Sequence, residues 1–152
     1  MRKNIHSDTF SYKDIECIIK TDAGNLTEYN GIGWVIIDFE TNIELAEGRA
    51  ILPKNYTTTT SELLAIVIAL QEVKKMDIDN IIIHTDFDGF MNKINKGNIT
   101  EDIELDLLSD ILDTFNCWSI KKVNRDDLKR PHNLVSSIKS NENKCIMIDN
   151  LI

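Results

Sequence analysis

Three runs of apolar residues in the first third of the chain have the spacing of β-strands. Residues 16–22 have a compact apolar centre and end in polar residues, residues 31–38 form a β-branched run, and residues 43–51 are apolar at mostly alternating positions. Short segments of turn-forming residues separate these runs, which is typical of hairpins. The pattern therefore predicts an antiparallel meander whose first strand delivers Asp22 at its tip.

The pattern becomes helical from Thr60 onward. Apolar residues recur at intervals of three and four over residues 63–73, and Ser61 or a preceding threonine is suited to cap the first turn. Residues 80–86 are again a short apolar run that ends in an aspartate, Asp86. Such a run is expected of a central strand covered on both faces.

The second half of the chain alternates between helical and strand patterns. Helical patterns occupy roughly residues 88–96 and 102–115, and residues 118–123 resemble a last strand. Pro131 lies where a final helix is expected to begin, because proline is tolerated at the first helical position. Together with the first half, these elements predict an α/β fold.

Composition favours an ordinary globular protein. With 152 residues, 42% hydrophobic and 28% charged, the chain is long enough for one domain over 1–152, with a core at about 15–140 and an unassigned tail at 141–152. No stretch approaches the roughly 18 apolar residues of a membrane span, and the N-terminus lacks the apolar region of a signal peptide. Three widely spaced cysteines without a C-x-x-C pair predict reduced thiols in a cytoplasmic protein.

Three acidic residues carry the strongest chemical signal. Asp22 and Asp86 end apolar strands, and Glu62 opens the long helix, so neighbouring strands would bring the three carboxylates to one edge of a sheet. Oxygen ligands suit Mg²⁺, and two such ions about 4 Å apart support phosphodiester hydrolysis. The alternative is that the aspartates cap turns and the glutamate serves the helix dipole. Spacing alone leaves both interpretations open.

Three motifs between residues 17 and 90 follow one another in the order of a known family. Residues 18–24 and 31–37 look like its first hairpin, and residues 58–70 are similar to its Thr-Asn-Asn-x-x-Glu-Leu-x-Ala segment. Residues 81–86 are similar to its Thr-Asp-Ser strand end, with Phe87 in place of the serine. The chain thus resembles type 1 ribonuclease H proteins. The resemblance implies a ribonuclease H-like fold, with a mixed five-stranded sheet, antiparallel in its first three strands, flanked by helices.

The resemblance also implies a function. It points to a metal-dependent endonuclease that cuts the RNA strand of an RNA/DNA hybrid and leaves a 3′-hydroxyl and a 5′-phosphate. Asp22 would bridge two Mg²⁺ or Mn²⁺ ions, and Glu62 and Asp86 would complete the two sites. No organic cofactor is expected, and protein partners stay open.

The fourth catalytic position differs from the family pattern. Residues 132–135, His-Asn-Leu-Val, align with the family's Asp-x-Leu-Ala, so His132 stands where an aspartate is common. A neutral imidazole can ligate a divalent metal and would shift preference towards Mn²⁺. His132 would lie beside the second metal and would assist product release. The alternatives are that His132 is an ordinary exposed residue, or that Asp126 or Asp127 replaces it.

The charge distribution bears on substrate binding. A net charge of −8 is unusual for a nucleic-acid-binding protein, but bound cations reverse the local electrostatics of an acidic site. The densest basic segment, between Lys121 and Arg130, is either a phosphate-contacting patch or a solvated loop. We predict nucleic-acid contacts for Gly24, Asn25, Thr58, Thr59, Lys121, Lys122 and Arg125.

Other features keep two further functions open. Threonines 57–60 replace the family's paired asparagines, Asp88 is interpreted as a helix cap rather than a ligand, and His84 as a satisfied core histidine. The acidic charge and His132 motivate a catalytically weakened module that binds nucleic acid or protein. The third possibility is a nuclease that cuts another duplex, such as double-stranded RNA or a DNA junction.

Overall fold

A computed structural model describes residues 4–86, 103–139 and 143–152. The helix expected at 88–96 and the cap expected at Asp88 lie outside these residues. Six strands form one sheet: β1 (Asn4–His6), β2 (Cys17–Asn25), β3 (Tyr29–Asp38), β4 (Glu44–Pro53), β5 (Asn80–Thr85) and β6 (Cys117–Lys122). Three α-helices accompany it among the described residues: α1 (Thr58–Lys74), α2 (Ile103–Leu112) and α3 (Lys129–Ser136).

The sheet is mixed, with strand order β1-β6-β5-β2-β3-β4. Strands β2, β3 and β4 are antiparallel, as the sequence predicts, whereas β5 is parallel to both β2 and β6. The α/β fold with a mixed sheet is therefore confirmed. The structure adds a sixth strand, because the three-residue β1 pairs antiparallel with the edge of β6. A strand that short has no readable alternation.

Helix α1 forms the centre of the larger core. Every residue from Thr60 to Leu70 is buried, because the sheet covers one side of the helix and α2 packs on another. The opposite face of the sheet is covered by α3, which lies against β2, β3 and β4. Gly33 allows this approach, because a Cβ there would lie 2.7 Å from the carbonyl oxygen of Pro131.

The register of β2 and β5 determines where their acids lie. Their parallel pairing ends at Lys20 opposite His84, so Asp22 and Asp86 each follow two residues later. Strand β2 continues to Asn25, however, and Asp22 pairs with Gly33 inside the β2–β3 ladder. Asp22 therefore lies beyond the parallel pairing but inside its strand. The prediction that the strand ends at Asp22 is wrong.

The last described residues pack on the body of the protein. Cys145 forms an isolated parallel β-bridge with Ile51 of β4. The Ile148 backbone N–H donates to the Tyr56 hydroxyl at 3.1 Å. All three cysteines are free thiols, two of them buried. Across the described residues, every helix is too short or too polar to cross a membrane.

Candidate active site

Three carboxylates from separate elements meet at one edge of the sheet. Asp22 comes from β2, Glu62 from the start of α1, and Asp86 directly follows β5. One ligand oxygen of each lies within 4.8 Å of the others. Asp22 and Glu62 are buried, and the Asp86 side chain is 17% exposed. The structure thus brings together the three acids that the sequence singled out.

The start of α1 aims Glu62 at this edge. Thr57 precedes the helix, and its Oγ1 accepts a hydrogen bond from the Thr60 backbone N–H at 3.1 Å. The Thr60 hydroxyl donates in turn to Glu104 on α2 at 2.8 Å. Of the caps that the sequence allowed, Thr57 is the one observed, and it fixes where the first turn begins.

Burial and the neighbouring carboxylates oppose ionisation of Glu62 and Asp22. Burial, with the charges of Asp22 and Asp86, raises the pKa of Glu62 to about 8. Burial also raises the pKa of Asp22, against the opposing effect of its contact with His132. Without a cation, Glu62 therefore retains its proton at neutral pH.

The donors fit a divalent metal ion. Glu62 Oε2 is buried and has no hydrogen-bond partner among the described residues. An unpaired buried carboxylate oxygen is unfavourable unless a proton or a cation meets it. All three acids offer hard oxygen ligands, which suit a hard divalent cation. Asp22, Glu62 and Asp86 could together bind metal.

His132 lies next to this cluster. Its Nδ1 is 3.2 Å from Asp22 Oδ2, and 65% of the side chain is exposed. It lies in the first half of α3, which begins at Lys129 rather than at Pro131. Asp126 and Asp127 lie in a separate 3₁₀ turn, and the negative charge of Asp127 acts on His84. Among the described contacts, His132 is therefore the candidate that reaches the acidic cluster.

Two cavities adjoin the acids, and Arg125 lines both. Its Nε lies 3.4 Å from Asp86 Oδ2, while 93% of its side chain is exposed. The first cavity, of about 170 Å³, is lined by Asp22, Asp86, Arg125, Leu128, Lys129 and His132. The second, of about 220 Å³, is lined by Ala23, Gly24, Asn25, Thr58, Ser61, Glu62 and Arg125.

The predicted nucleic-acid contacts divide into two groups. Gly24, Asn25, Thr58 and Arg125 line the second cavity, beside Glu62. Thr59, Lys121 and Lys122 line neither cavity, although the two lysines are exposed at the end of β6, next to β5.

Ser61 is a cavity residue that the sequence analysis considered only as a helix cap. It is 3% exposed, and its Oγ has no hydrogen-bond partner in the described part of the chain. No local pattern indicated that its side chain would line the cavity beside Glu62.

His84 differs from its predicted role. Its Nδ1 is buried without a hydrogen-bond partner among the described residues, so it is not a satisfied core histidine. Burial lowers its pKa to about 4, and the charges of Lys20 and Lys121 on the flanking strands add to the effect. His84 is therefore neutral at physiological pH.

Comparisons with known proteins agree with this fold. A family model described as Reverse transcriptase-like matches residues 20–137. No curated protein matches the chain. Among solved structures, the RNase H1 of the halophilic archaeon Halobacterium salinarum NRC-1 has a TM-score of 0.70 and 20% identity. That match covers 83% of this chain and 97% of the other.

Two further structures are similar at the same level. The N-terminal RNase H domain of a Mycobacterium tuberculosis protein has a TM-score of 0.69 and 15% identity, covering 80% of this chain and 97% of that one. LC11-RNase H1, isolated from compost by a metagenomic approach, was solved with an RNA/DNA hybrid. It has a TM-score of 0.66 and 21% identity, covering 88% of this chain and 97% of that one. At these identities the similarity establishes the fold.

Proposed function

Because the chain belongs to the Reverse transcriptase-like family and forms a ribonuclease H-like domain, we propose that it is a metal-dependent endonuclease. The observation that carries the proposal is the meeting of Asp22, Glu62 and Asp86, whose ligand atoms lie within 4.8 Å of one another. In this proposal the three carboxylates hold two Mg²⁺ or Mn²⁺ ions.

The reaction would be hydrolysis of a phosphodiester bond. When bound, the ions would supply Lewis acidity for the attacking water and for the leaving oxygen. The buried carboxylates Asp22 and Glu62 would anchor them away from bulk solvent. Arg125 lies between the two cavities, where its guanidinium is suited to donate to a phosphate oxygen of the cut strand.

The proposed substrate is the RNA strand of an RNA/DNA hybrid, cut to leave a 3′-hydroxyl and a 5′-phosphate. The similar LC11-RNase H1 was solved with such a hybrid, which supports this substrate class. Asn25, Thr58 and Ser61 add amide and hydroxyl groups to the cavity beside Glu62. Such groups can hydrogen bond to the 2′-hydroxyl that distinguishes RNA from DNA.

His132 is the proposed fourth ligand. Its support is the 3.2 Å separation between Nδ1 and Asp22 Oδ2. A nitrogen donor here would favour Mn²⁺ over Mg²⁺ relative to a fourth carboxylate. The same departure, with the net charge of −8, keeps a weakened nucleic-acid-binding module as the second candidate function.

The test is cleavage of labelled RNA/DNA hybrid, double-stranded RNA and duplex DNA in parallel, with Mg²⁺ and Mn²⁺ separately. Asp86→Asn is the inactive variant, and Asp113→Asn, an exposed acid outside the cluster, is its matched control. We expect the wild type and Asp113→Asn to cleave the hybrid, and Asp86→Asn not to cleave it. Cleavage of another duplex would change the substrate but keep the chemistry. Hybrid binding in a chelator without cleavage in either metal would favour the binding module.

A further inference from the structure

Helix α3 carries His132 but has few of the features that usually hold a helix in place. It has eight residues, and the residue before it, Leu128, makes no side-chain capping bond. Only Pro131 and Val135 of the helix are buried. Because helices of this length are marginal on their own, contacts to other elements must determine where α3 lies.

Arginine contacts tie both ends of α3 to the edge strand β4. At its start, Arg130 Nε and Nη2 each donate to one oxygen of Glu44 at 2.9 Å, and Nη2 also donates to Glu47. At its end, Arg49 Nη1 donates to the Ser137 carbonyl oxygen at 3.3 Å. A bidentate arginine–carboxylate pair fixes the relative orientation of the two side chains as well as their distance.

These contacts determine how α3 is turned on the sheet. Residues two apart on an α-helix point about 200° apart, so Arg130 reaches β4 while His132 reaches Asp22 on β2. A rotation or slide of the helix would therefore change both contacts together. The three carboxylates come from β2, α1 and the end of β5, and none of them belongs to α3.

We infer that Arg130, Glu44 and Glu47 form a clamp that positions His132 at the acidic cluster. The inference rests on the proposed function, because it assigns the clamp to the fourth metal ligand. The clamp side chains are 46%, 41% and 51% exposed, so their ion pairs add little to global stability. Their effect is on the position of one ligand. Arg130 is a positioning residue for the reaction, acting through His132.

The experiment is a double-mutant cycle between Arg130→Gln and His132→Ala. Its readouts are the Mn²⁺ concentration for half-maximal hybrid cleavage, kcat and KM separately, and the melting temperature. We expect Arg130→Gln to raise the Mn²⁺ requirement several-fold in the wild-type background and to have no further effect in His132→Ala. The melting temperature should change little. Glu44→Arg combined with Arg130→Glu should restore part of the metal affinity.

Lys75→Gln is the matched control, because this substitution removes a similar exposed ion pair, between Lys75 and Glu72 at the far end of α1. It should behave as the wild type. Equal effects of Arg130→Gln in both backgrounds, or none in either, would overturn the clamp while leaving the nuclease proposal intact. A wild-type protein that neither binds Mn²⁺ nor cleaves any duplex would instead refute the proposed function, and the clamp with it.

Discussion

Replacing Glu62 by glutamine should stabilise the metal-free protein, and increasingly so as the pH rises. The folded-state pKa of Glu62 is about 8, against an ordinary value of 4.5. Between these values the unfolded chain releases a proton that the folded protein retains, so the wild type loses stability as the pH rises. Glutamine keeps the size of the side chain but cannot ionise, so it removes this loss.

The magnitude follows from linkage. One retained proton changes the free energy of unfolding by about 1.4 kcal/mol per pH unit. His84 has the opposite sign, because its folded-state pKa of about 4 lies below its ordinary 6.5, so its contribution to stability rises with pH only up to 6.5. Between pH 6.5 and 8 the contribution of His84 is constant, and the loss from Glu62 amounts to about 2 kcal/mol.

The assay is urea unfolding in a chelator, followed by tryptophan fluorescence at several pH values, for the wild type and Glu62→Gln. Asp38→Asn tests the sign, because hydrogen bonds from Thr41 lower the pKa of Asp38. Asp38 stabilises the folded state above its unfolded-state pKa, and this contribution is lost as the pH falls through its folded-state pKa. Asp38→Asn should therefore be destabilising at neutral pH. The reasoning would be refuted if the free energy of unfolding had the same pH dependence in the wild type and in Glu62→Gln above pH 6.5.

Three further predictions test the same site. Asp22→Asn or Asp86→Asn should abolish cleavage while the fold stays intact, as checked by activity and circular dichroism, and cleavage that survives both changes would end the two-metal proposal. His132→Ala should reduce activity by roughly ten- to a hundredfold, less than loss of Asp22, and His132→Asp should tighten Mg²⁺ binding. Unchanged metal preference in both variants would remove His132 from the site. Gly33→Ala should destabilise the protein by about 1–3 kcal/mol, because its Cβ would meet the Pro131 carbonyl. Gly24→Ala, which meets only a Val135 methyl group at 3.2 Å, should cost less in the same unfolding assay.

Local patterns predicted the part of the site that comes from regular elements. Asp22 and Asp86 could be predicted because each follows a continuous apolar run, and parallel strands bring such ends to the same edge. Glu62 could be predicted because its helix has a clear start. The segment that contains Glu62 also lies between the two aspartate segments, in the order of the family motifs.

Contacts between distant parts of the chain could not be predicted in this way. Arg130 and Glu44 are 86 residues apart, and both have the composition of ordinary exposed positions. That His84 Nδ1 has no partner in the described part of the chain depends on what the flanking strands place around it, which no local pattern encodes. The continuation of β2 beyond Asp22 follows from its pairing with β3 and not from its own residues.

The most direct test of the central claim is the melting temperature of the wild type and of Asp22→Asn during titration with Mn²⁺, with Asp113→Asn as control. If the three carboxylates hold metal, Mn²⁺ should stabilise the wild type and Asp113→Asn by about 2.7 kcal/mol at about 100 times its Kd. At a fixed Mn²⁺ concentration the effect should grow as the pH rises towards 8, because the metal competes with the proton on Glu62. Asp22→Asn should gain much less. The account would be contradicted if millimolar Mn²⁺ did not change the melting temperature of the wild type, or if it raised that of Asp22→Asn by the same amount.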